Sequence, residues 1–301
     1  MILVLSKALV YTAVLSFALT PLDVILARRL GAIDVPVDTR RMHTSPTPRI
    51  GGISLFASFI FFAFIFYKKL APEFTFVVSG AFFTVILGVF DDSIGLSAKT
   101  KLTAQTFISV LCALGIFSPF RYGAAVSVFA VIWITAFINA HNFIDGLNGL
   151  CAGVSLIEAV AVGVLLLIAK ETSYAVWAFV LGGACLGFFP YNYPKARLFL
   201  GDTGSTFLGY TLGVFSLKLI TVRANFLTFA SVLFIFFVPL ADVLFALTRR
   251  IKQQKSVFSA DRSHIHHLLA DKLGHKKASL VLRLTTLALA ATGVAFYLSL
   301  P

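Results

Sequence analysis

The sequence predicts an all-α polytopic integral membrane protein, with about ten transmembrane helices forming one domain over residues 1–301 and functional loops gathered on one face. Three observations carry that expectation. The 301-residue chain is 58% hydrophobic and only 13% charged, where a soluble globular domain carries about a quarter charged residues. Its apolar residues fall in continuous runs close to the roughly 20 residues needed to cross the hydrocarbon core. The polar, motif-bearing stretches sit in alternate connections between those runs. Unbroken apolar runs exclude a transmembrane barrel, whose strands alternate. Helices are then the way to pair every backbone group in lipid.

The elements follow in order. Run 2–20 has no cationic stretch before it, Lys7 interrupts it, and no A-x-A pattern follows, so it reads as a retained first helix and not a signal peptide. Run 51–67 follows a basic connection, and run 74–90 ends on the adjacent acids Asp91 and Asp92. Runs 102–117 and 124–140 lead to the polar stretch from His141 to Asn148. Runs 150–169 and 174–189 lead to Asn192, and run 206–220 opens from Gly201-Asp202-Thr203-Gly204-Ser205. Run 226–247 contains Asp242 and ends at Arg249-Arg250, and run 279–300 follows Lys276-Lys277. Thirty-two phenylalanines suit lipid-facing helices. Cys112, Cys151 and Cys185 lack metal-ligand spacing and read as small packing residues.

The odd-numbered connections hold 17 lysines and arginines against 6 in the even-numbered ones, with Lys7 and Arg283 inside the first and last runs. The positive-inside rule then places the odd connections in the cytoplasm and, for an even number of helices, both termini outside. This bias accounts for the net charge of +12. No nucleic-acid partner is expected, because no soluble basic domain exists to hold one.

Several constellations suit phosphate chemistry. Asp91 and Asp92 sit at a membrane edge, where side-by-side burial raises one pKa or demands a cation. Lys99 and Lys101 follow as counter-charge for phosphate; a solvated helix cap is the plain alternative. Asn142, Asp145 and Asn148 recur every three residues, a spacing that projects from one face of a helical turn, against an ordinary Asn/Asp/Gly turn. Gly-Asp-Thr-Gly-Ser at a helix start offers amides to an anion while Asp202 can hold a hard divalent cation; the plain alternative is an N-cap at Asp202 or Thr203. It lacks the glycine spacing and lysine of a Walker motif. Arg262, His264, His266 and His267 form a dense donor cluster for phosphate oxygens. Zinc competes for His264, His267 and Asp261 but lacks a completing cysteine or second imidazole cluster. Asp242 and Glu158 are intramembrane carboxylates, functional candidates or buried partners of other polar groups. Asp242 is placed to orient the histidine loop.

Together these motifs resemble the polyprenyl-phosphate N-acetylhexosamine-1-phosphate transferases (glycosyltransferase family 4), which include the WecA and TagO types and the MraY translocases. The matching elements are His43 through Pro48-Arg49-Ile50-Gly51-Gly52, Asp91-Asp92 with Lys99 and Lys101, Asn142 through Gly149, Asn192, Phe199 through Ser205, Asp242, and Asp261 through Leu269. They keep the family's order end to end, and the histidine motif with Arg-Ile-Gly-Gly looks more like the WecA/TagO branch than MraY.

The resemblance implies transfer of N-acetylglucosamine-1-phosphate from UDP-N-acetylglucosamine to undecaprenyl phosphate, releasing UMP, as the first step of a cell-surface glycopolymer. It implies magnesium, with manganese as a substitute, and a bacterial inner membrane with the site facing the cytoplasm. The implied partners are the UDP-N-acetylhexosamine, the undecaprenyl phosphate and the bilayer, with a homodimer as the assembly considered. Other UDP-N-acetylhexosamines (FucNAc, QuiNAc, GalNAc) are alternative donors, and a secondary transporter is the alternative of another class. The chain departs from many bacterial members at Asn148, where they have aspartate, which bears on donor choice.

The roles so implied make Asp202 the principal metal ligand, with Asn142 or Asp145 beside it. Asp91 faces the lipid phosphate, and Asp92 helps hold the metal or a lysine. Asn148, Asn192 and Phe199 meet the uridine. Arg262, His264, His266 and His267 contact the phosphates, with His43, Arg49 and Lys101 also on the substrates. A covalent aspartyl-phosphate route through Asp202 or Asp145 stays open beside direct attack.

Overall fold

The computed structural model describes residues 1–35, 46–66, 72–254 and 264–299. In chain order the elements are α1 (Ile2–Leu30), β1 (Ile33–Asp34), β2 (Thr47–Pro48), α2 (Gly52–Phe66), α3 (Pro72–Ile94), α4 (Ala98–Ile116) and α5 (Pro119–Tyr122). They continue with α6 (Ala124–Ile144), α7 (Leu150–Ile168), α8 (Thr172–Asn192), α9 (Gly201–Val222), α10 (Phe226–Ile235), α11 (Phe237–Lys252), α12 (Ile265–Leu273) and α13 (His275–Leu298).

All ten apolar runs are helical over their described residues, but fewer than ten helices are long and apolar enough to cross a membrane. Among the described residues there are seven, or eight if the bent pair α10–α11 is one span. The physical reasons differ. As described, α2 has 15 residues, about 22 Å of helix. α4 starts with two lysines and a polar stretch that lower its apolarity. The ninth run is broken at Phe236 and turns by 82°. Pro239 falls in the first turn of α11, where its missing N–H is tolerated. At the other extreme, α1 runs ten residues beyond its expected end, through Pro21 and Asp23. One small antiparallel pairing, Ile33 with Pro48 and Asp34 with Thr47, joins β1 to β2.

α9 is the centre of the bundle. Its spanning window is 83% buried, against 22% for α1 and for α13, so those two are peripheral. α9 packs against α2, α3, α6, α7, α8 and α10. Close approach at its N-terminal end depends on missing side chains. A Cβ on Gly52 would overlap the backbone of Gly204, and one on Gly88 would overlap the backbone of Thr203. Those contacts bring the starts of α2 and α9 and the end of α3 to one point. At the opposite end Glu73 of α3 accepts from Lys218 of α9 at 3.0 Å, from Tyr174 of α8 at 2.9 Å and from Arg121 at 2.9 Å, which ties the far ends of the same helices.

Candidate active site

The carboxylates converge where α9 begins. Gly201 opens the helix at φ +71°, a conformation glycine adopts without steric cost. The first amides of a helix need acceptors, and a neighbouring helix supplies them. Asp92 of α3 accepts from the Asp202 amide at 3.1 Å, the Thr203 amide at 2.9 Å and the Thr203 hydroxyl at 2.7 Å. Asp92 is therefore the cap of α9, and neither Asp202 nor Thr203 takes that role. Arg49 in turn donates Nε to the Asp92 carbonyl at 3.1 Å and Nη2 to the Asp91 carbonyl at 3.4 Å, closing the last turn of α3. The backbone pairings Phe199 N–H to Pro48 O (2.8 Å) and Gly51 N–H to Phe199 O (3.1 Å) fix the loop before α9 against the start of α2. Asp23 of α1 accepts from the Ser54 amide at 3.1 Å, so α2 is likewise held at its start by a neighbour's carboxylate.

Asp91 faces a different group from Asp92. The Lys101 ammonium donates to Asp91 Oδ2 at 3.1 Å and to Asp202 Oδ2 at 2.6 Å, while the Leu96 amide donates to Asp91 Oδ1 at 2.7 Å. Burial pulls the Lys101 pKa down, but the Asp202 and Asp91 carboxylates outweigh it and hold it above the ordinary lysine value. Lys101 thus remains a cation between two carboxylates. Asn142, at the end of α6, donates Nδ2 to Ser205 Oγ at 3.1 Å and faces the Asp202 carboxylate.

Asp145 caps the C-terminus of α6. Burial pushes its carboxyl well above the usual range, the Asp202 and Asp92 charges push it further, and the Gly201 amide partly offsets them. Four carboxylates thus meet two cations, Lys101 and Arg49. Oxygen donors in excess of positive charge suit a hard divalent ion, and Asp202, Asp145 and Asn142 are the residues that would hold it.

The three-residue period at Asn142, Asp145 and Asn148 does not lie on one continuous helix. α6 stops at Ile144, and Asn148 belongs to the following turn. The Asn148 side chain is half-buried and makes no hydrogen bond among the described residues, whereas its carbonyl accepts from Ser279 Oγ at 3.0 Å. Asn192 is spent on the protein itself, with Oδ1 accepting from Gly149 N–H at 2.7 Å and Nδ2 donating to Leu198 O at 3.0 Å. It braces the turn from behind.

Asp242 organises the histidines. His264 Nδ1 donates to its Oδ2 at 2.7 Å, and His266 Nδ1 donates to its Oδ1 at 3.2 Å. Both rings are thereby fixed with Nε2 on the outer edge. His266 Nε2 is buried without a hydrogen-bond partner and lies against Gly146, where a Cβ would sit 2.5 Å away. His267 packs on His266 with ring centres 4.2 Å apart. The histidine motif therefore abuts the Asp145–Gly146 turn. Lys99 is exposed and makes no ion pair among the described residues. His43, Asp261 and Arg262 lie outside the described residues.

Two supporting residues were not singled out by sequence reasoning. Asp23 falls beyond run 2–20 but inside α1, and an acid flanked by apolar residues is itself a signal. His141 pairs through Nε2 with Glu158 Oε2 at 2.8 Å, both fully buried, one residue before Asn142.

A bundle of apolar helices with a carboxylate, lysine and imidazole centre at one end defines a membrane-embedded enzyme of phosphoryl chemistry. Residues 74–220 match the family model described as glycosyl transferase family 4. The chain is 33% identical over 278 residues to the probable undecaprenyl-phosphate N-acetylglucosaminyl 1-phosphate transferase of Bacillus subtilis, covering 88% of this chain and 77% of that one. It is 35% identical to the decaprenyl-phosphate N-acetylglucosaminephosphotransferase of Mycobacterium tuberculosis (85% and 73% covered). It is 31% identical to the undecaprenyl-phosphate alpha-N-acetylglucosaminyl 1-phosphate transferase of Escherichia coli (89% and 77%). The chain belongs to glycosyl transferase family 4, as a polytopic phosphoglycosyltransferase of the WecA/TagO type.

Proposed function

We propose that this enzyme transfers N-acetylglucosamine-1-phosphate from UDP-N-acetylglucosamine to undecaprenyl phosphate at the cytoplasmic face of a bacterial inner membrane. The observation that carries the proposal is the convergence of Asp91, Asp145, Asp202 and Lys101 at one end of the bundle. A charged lipid head and a water-soluble nucleotide can meet there while the polyprenyl tail stays in the bilayer. A transporter would place such groups near the midplane. The cytoplasmic assignment is supported by the excess of cations in the connections at the site's end.

An oxygen of the lipid phosphate attacks the β-phosphorus of the donor. A new P–O bond forms, the bond from the β-phosphorus to the bridging oxygen breaks, and that oxygen leaves with its electron pair on UMP. A phosphate monoester has its second pKa near roughly 6, so the acceptor is largely dianionic and Asp91 need take up only its residual proton. The limiting problem is repulsion between two anionic substrates. A magnesium ion, when bound, supplies positive charge to the diphosphate. Asp202, Asp145 and Asn142 would hold it, with manganese as a substitute. Lys101 keeps Asp91 and Asp202 oriented and supplies a fixed cation. His264 and His266, aligned by Asp242, present Nε2 to the phosphates together with His267. Asn148 offers its unengaged amide to the uracil edge, and Phe199 would supply a stacking surface for the ring.

The test is UMP release by the detergent-purified protein from UDP-N-acetylglucosamine and a polyprenyl phosphate, with and without magnesium. Magnesium-dependent UMP with a lipid-linked sugar supports the proposal, and its absence with every UDP-N-acetylhexosamine overturns it. Asn148 favours including the galacto and 6-deoxy donors in competition, because an amide replaces a carboxylate on the nucleotide side.

A further inference from the structure

Arg283 lies two turns into α13, within a membrane-spanning helix. A cation there is costly and marks a function or a buried partner. No carboxylate lies within ion-pair distance among the described residues. The guanidinium instead stands over the Tyr193 ring at 4.2 Å and the Phe189 ring at 4.9 Å. Those rings stack on each other at 5.3 Å. Arg283 Nε donates to Ser279 O at 3.2 Å, and Nη2 is buried without a hydrogen-bond partner. The aromatic faces are its main compensation.

α7 is cut away to receive this stack. A Cβ on Gly153 would overlap Arg283 Cδ, and a Cβ on Gly149 would lie 2.6 Å from Tyr193 Cβ. These glycines are one turn apart on the same helix face. What the stack adjoins gives it meaning. Ser279, one turn before Arg283, holds the Asn148 carbonyl. Asn192, the residue before Tyr193, holds Gly149 and Leu198. The clamp thus lies directly behind the turn carrying Asn148 and the loop leading to Phe199.

We propose that Arg283 is a positioning residue for donor binding: stacked on Tyr193, it fixes the Asn148 turn and the 192–200 loop in the arrangement that receives the uridine. It touches neither substrate. The proposal rests on the donor reading above. Lysine is a poor substitute, because only the planar guanidinium stacks.

The experiment is steady-state kinetics of UMP release for the wild-type enzyme, Arg283→Met, Tyr193→Leu, Tyr193→Phe and the Arg283→Met/Tyr193→Leu pair, with UDP binding by calorimetry alongside. Arg283→Met and Tyr193→Leu are expected to raise the donor KM about tenfold and weaken UDP equally, the order of a desolvated cation–π contact. The kcat should stay within about twofold and the acceptor KM should not move. Tyr193→Phe keeps the ring and should behave as wild type, and the double variant should be no worse than either single one. Unchanged donor KM and UDP affinity, or an effect confined to kcat or to the acceptor, overturns the proposal. If Arg283→Met fails to fold, Tyr193→Leu against Tyr193→Phe decides the same question. A wild-type enzyme that releases no UMP sinks the transferase reading; a working wild-type enzyme with unmoved variants sinks only the clamp.

Discussion

Asp91 and Asp92 are adjacent, equally acidic and both proposed from sequence for the chemistry, yet the structure gives them different loads. Asp92→Asn is the informative perturbation. The carboxylate accepts three bonds at the start of α9, two of them from backbone amides. An asparagine offers one accepting oxygen and turns an NH2 group toward a donor. Bonds to charged groups contribute about 1.5–3 kcal/mol each, and an anion at a helix N-terminus adds about 0.3–1 kcal/mol. Relief of the buried charge offsets part of this, so a net loss of about 2–3 kcal/mol is expected, the loss of roughly two such bonds less that relief. That corresponds to an apparent Tm lower by about 3–5 °C. Asp91→Asn keeps the acceptor for Leu96 N–H and gives up the ion pair with Lys101, but it removes a buried charge facing Asp202, so its Tm should fall clearly less than that of Asp92→Asn. Both variants should lose UMP release, by differential scanning fluorimetry and a coupled UMP assay on the same preparations. Equal Tm values for the two would refute the division into a capping and a reacting carboxylate.

Three further outcomes follow from the same geometry. Asp145 holds its proton to higher pH in the fold than in the unfolded chain, so its stabilising contribution is present below the ordinary carboxylate pKa and lost as pH rises through its raised folded value. Metal-free protein should therefore lose thermal stability with rising pH more than Asp145→Asn does, magnesium should cancel the loss, and calorimetry in two buffers should show proton release on magnesium binding. Gly88→Ala should cost about 1–3 kcal/mol of stability by overpacking against Thr203. It should also lower kcat by up to about a hundredfold, because the first turn of α9 is displaced; unchanged kcat would show the contact to be dispensable. Glu158→Ala breaks a fully buried pair with His141 and should cost about 3–5 kcal/mol, whereas Glu158→Gln, which can still bond the imidazole, should unfold at a temperature much closer to wild type.

The helices were legible because lipid permits few other solutions for a continuous apolar run; each of the ten runs is helical over its described residues. The spans were less so. Nothing in the composition of run 226–247 marks an 82° turn at Phe236 except Pro239, and a proline is tolerated at a helix start as well as at a kink. The loops that meet could be named, but not the partners within them. Asn192 looks like a ligand-facing amide in sequence, yet both its polar atoms are taken by Gly149 and Leu198. Arg49 looks like a phosphate contact but closes the last turn of α3. Which side of a long-range pair a residue occupies depends on contacts far along the chain, 43 positions for Asn192 with Gly149 and for Arg49 with Asp92, and one sequence does not encode them locally.

The division between Asp91 and Asp92 could have been anticipated from helix geometry alone. Both lie within α3, where consecutive residues project about 100° apart, so two adjacent aspartates leave the helix in different directions. One of them meets the backbone at the start of α9, and the other turns to the side, toward Lys101. The close approach at Gly88, one turn before Asp92, decides which. Gly88 and Asp92 share the face pressed on α9, so Asp92 meets the amides of Asp202 and Thr203 while Asp91 is left toward Lys101. Asp202 follows the same logic on the other helix. Its amide is fixed by Asp92, and its carboxylate is carried round to Lys101 and Asn142. The acidic pair is thus a hinge of charge: one member anchors the helix that supplies the proposed metal ligand, and the other faces the space that ligand helps to enclose.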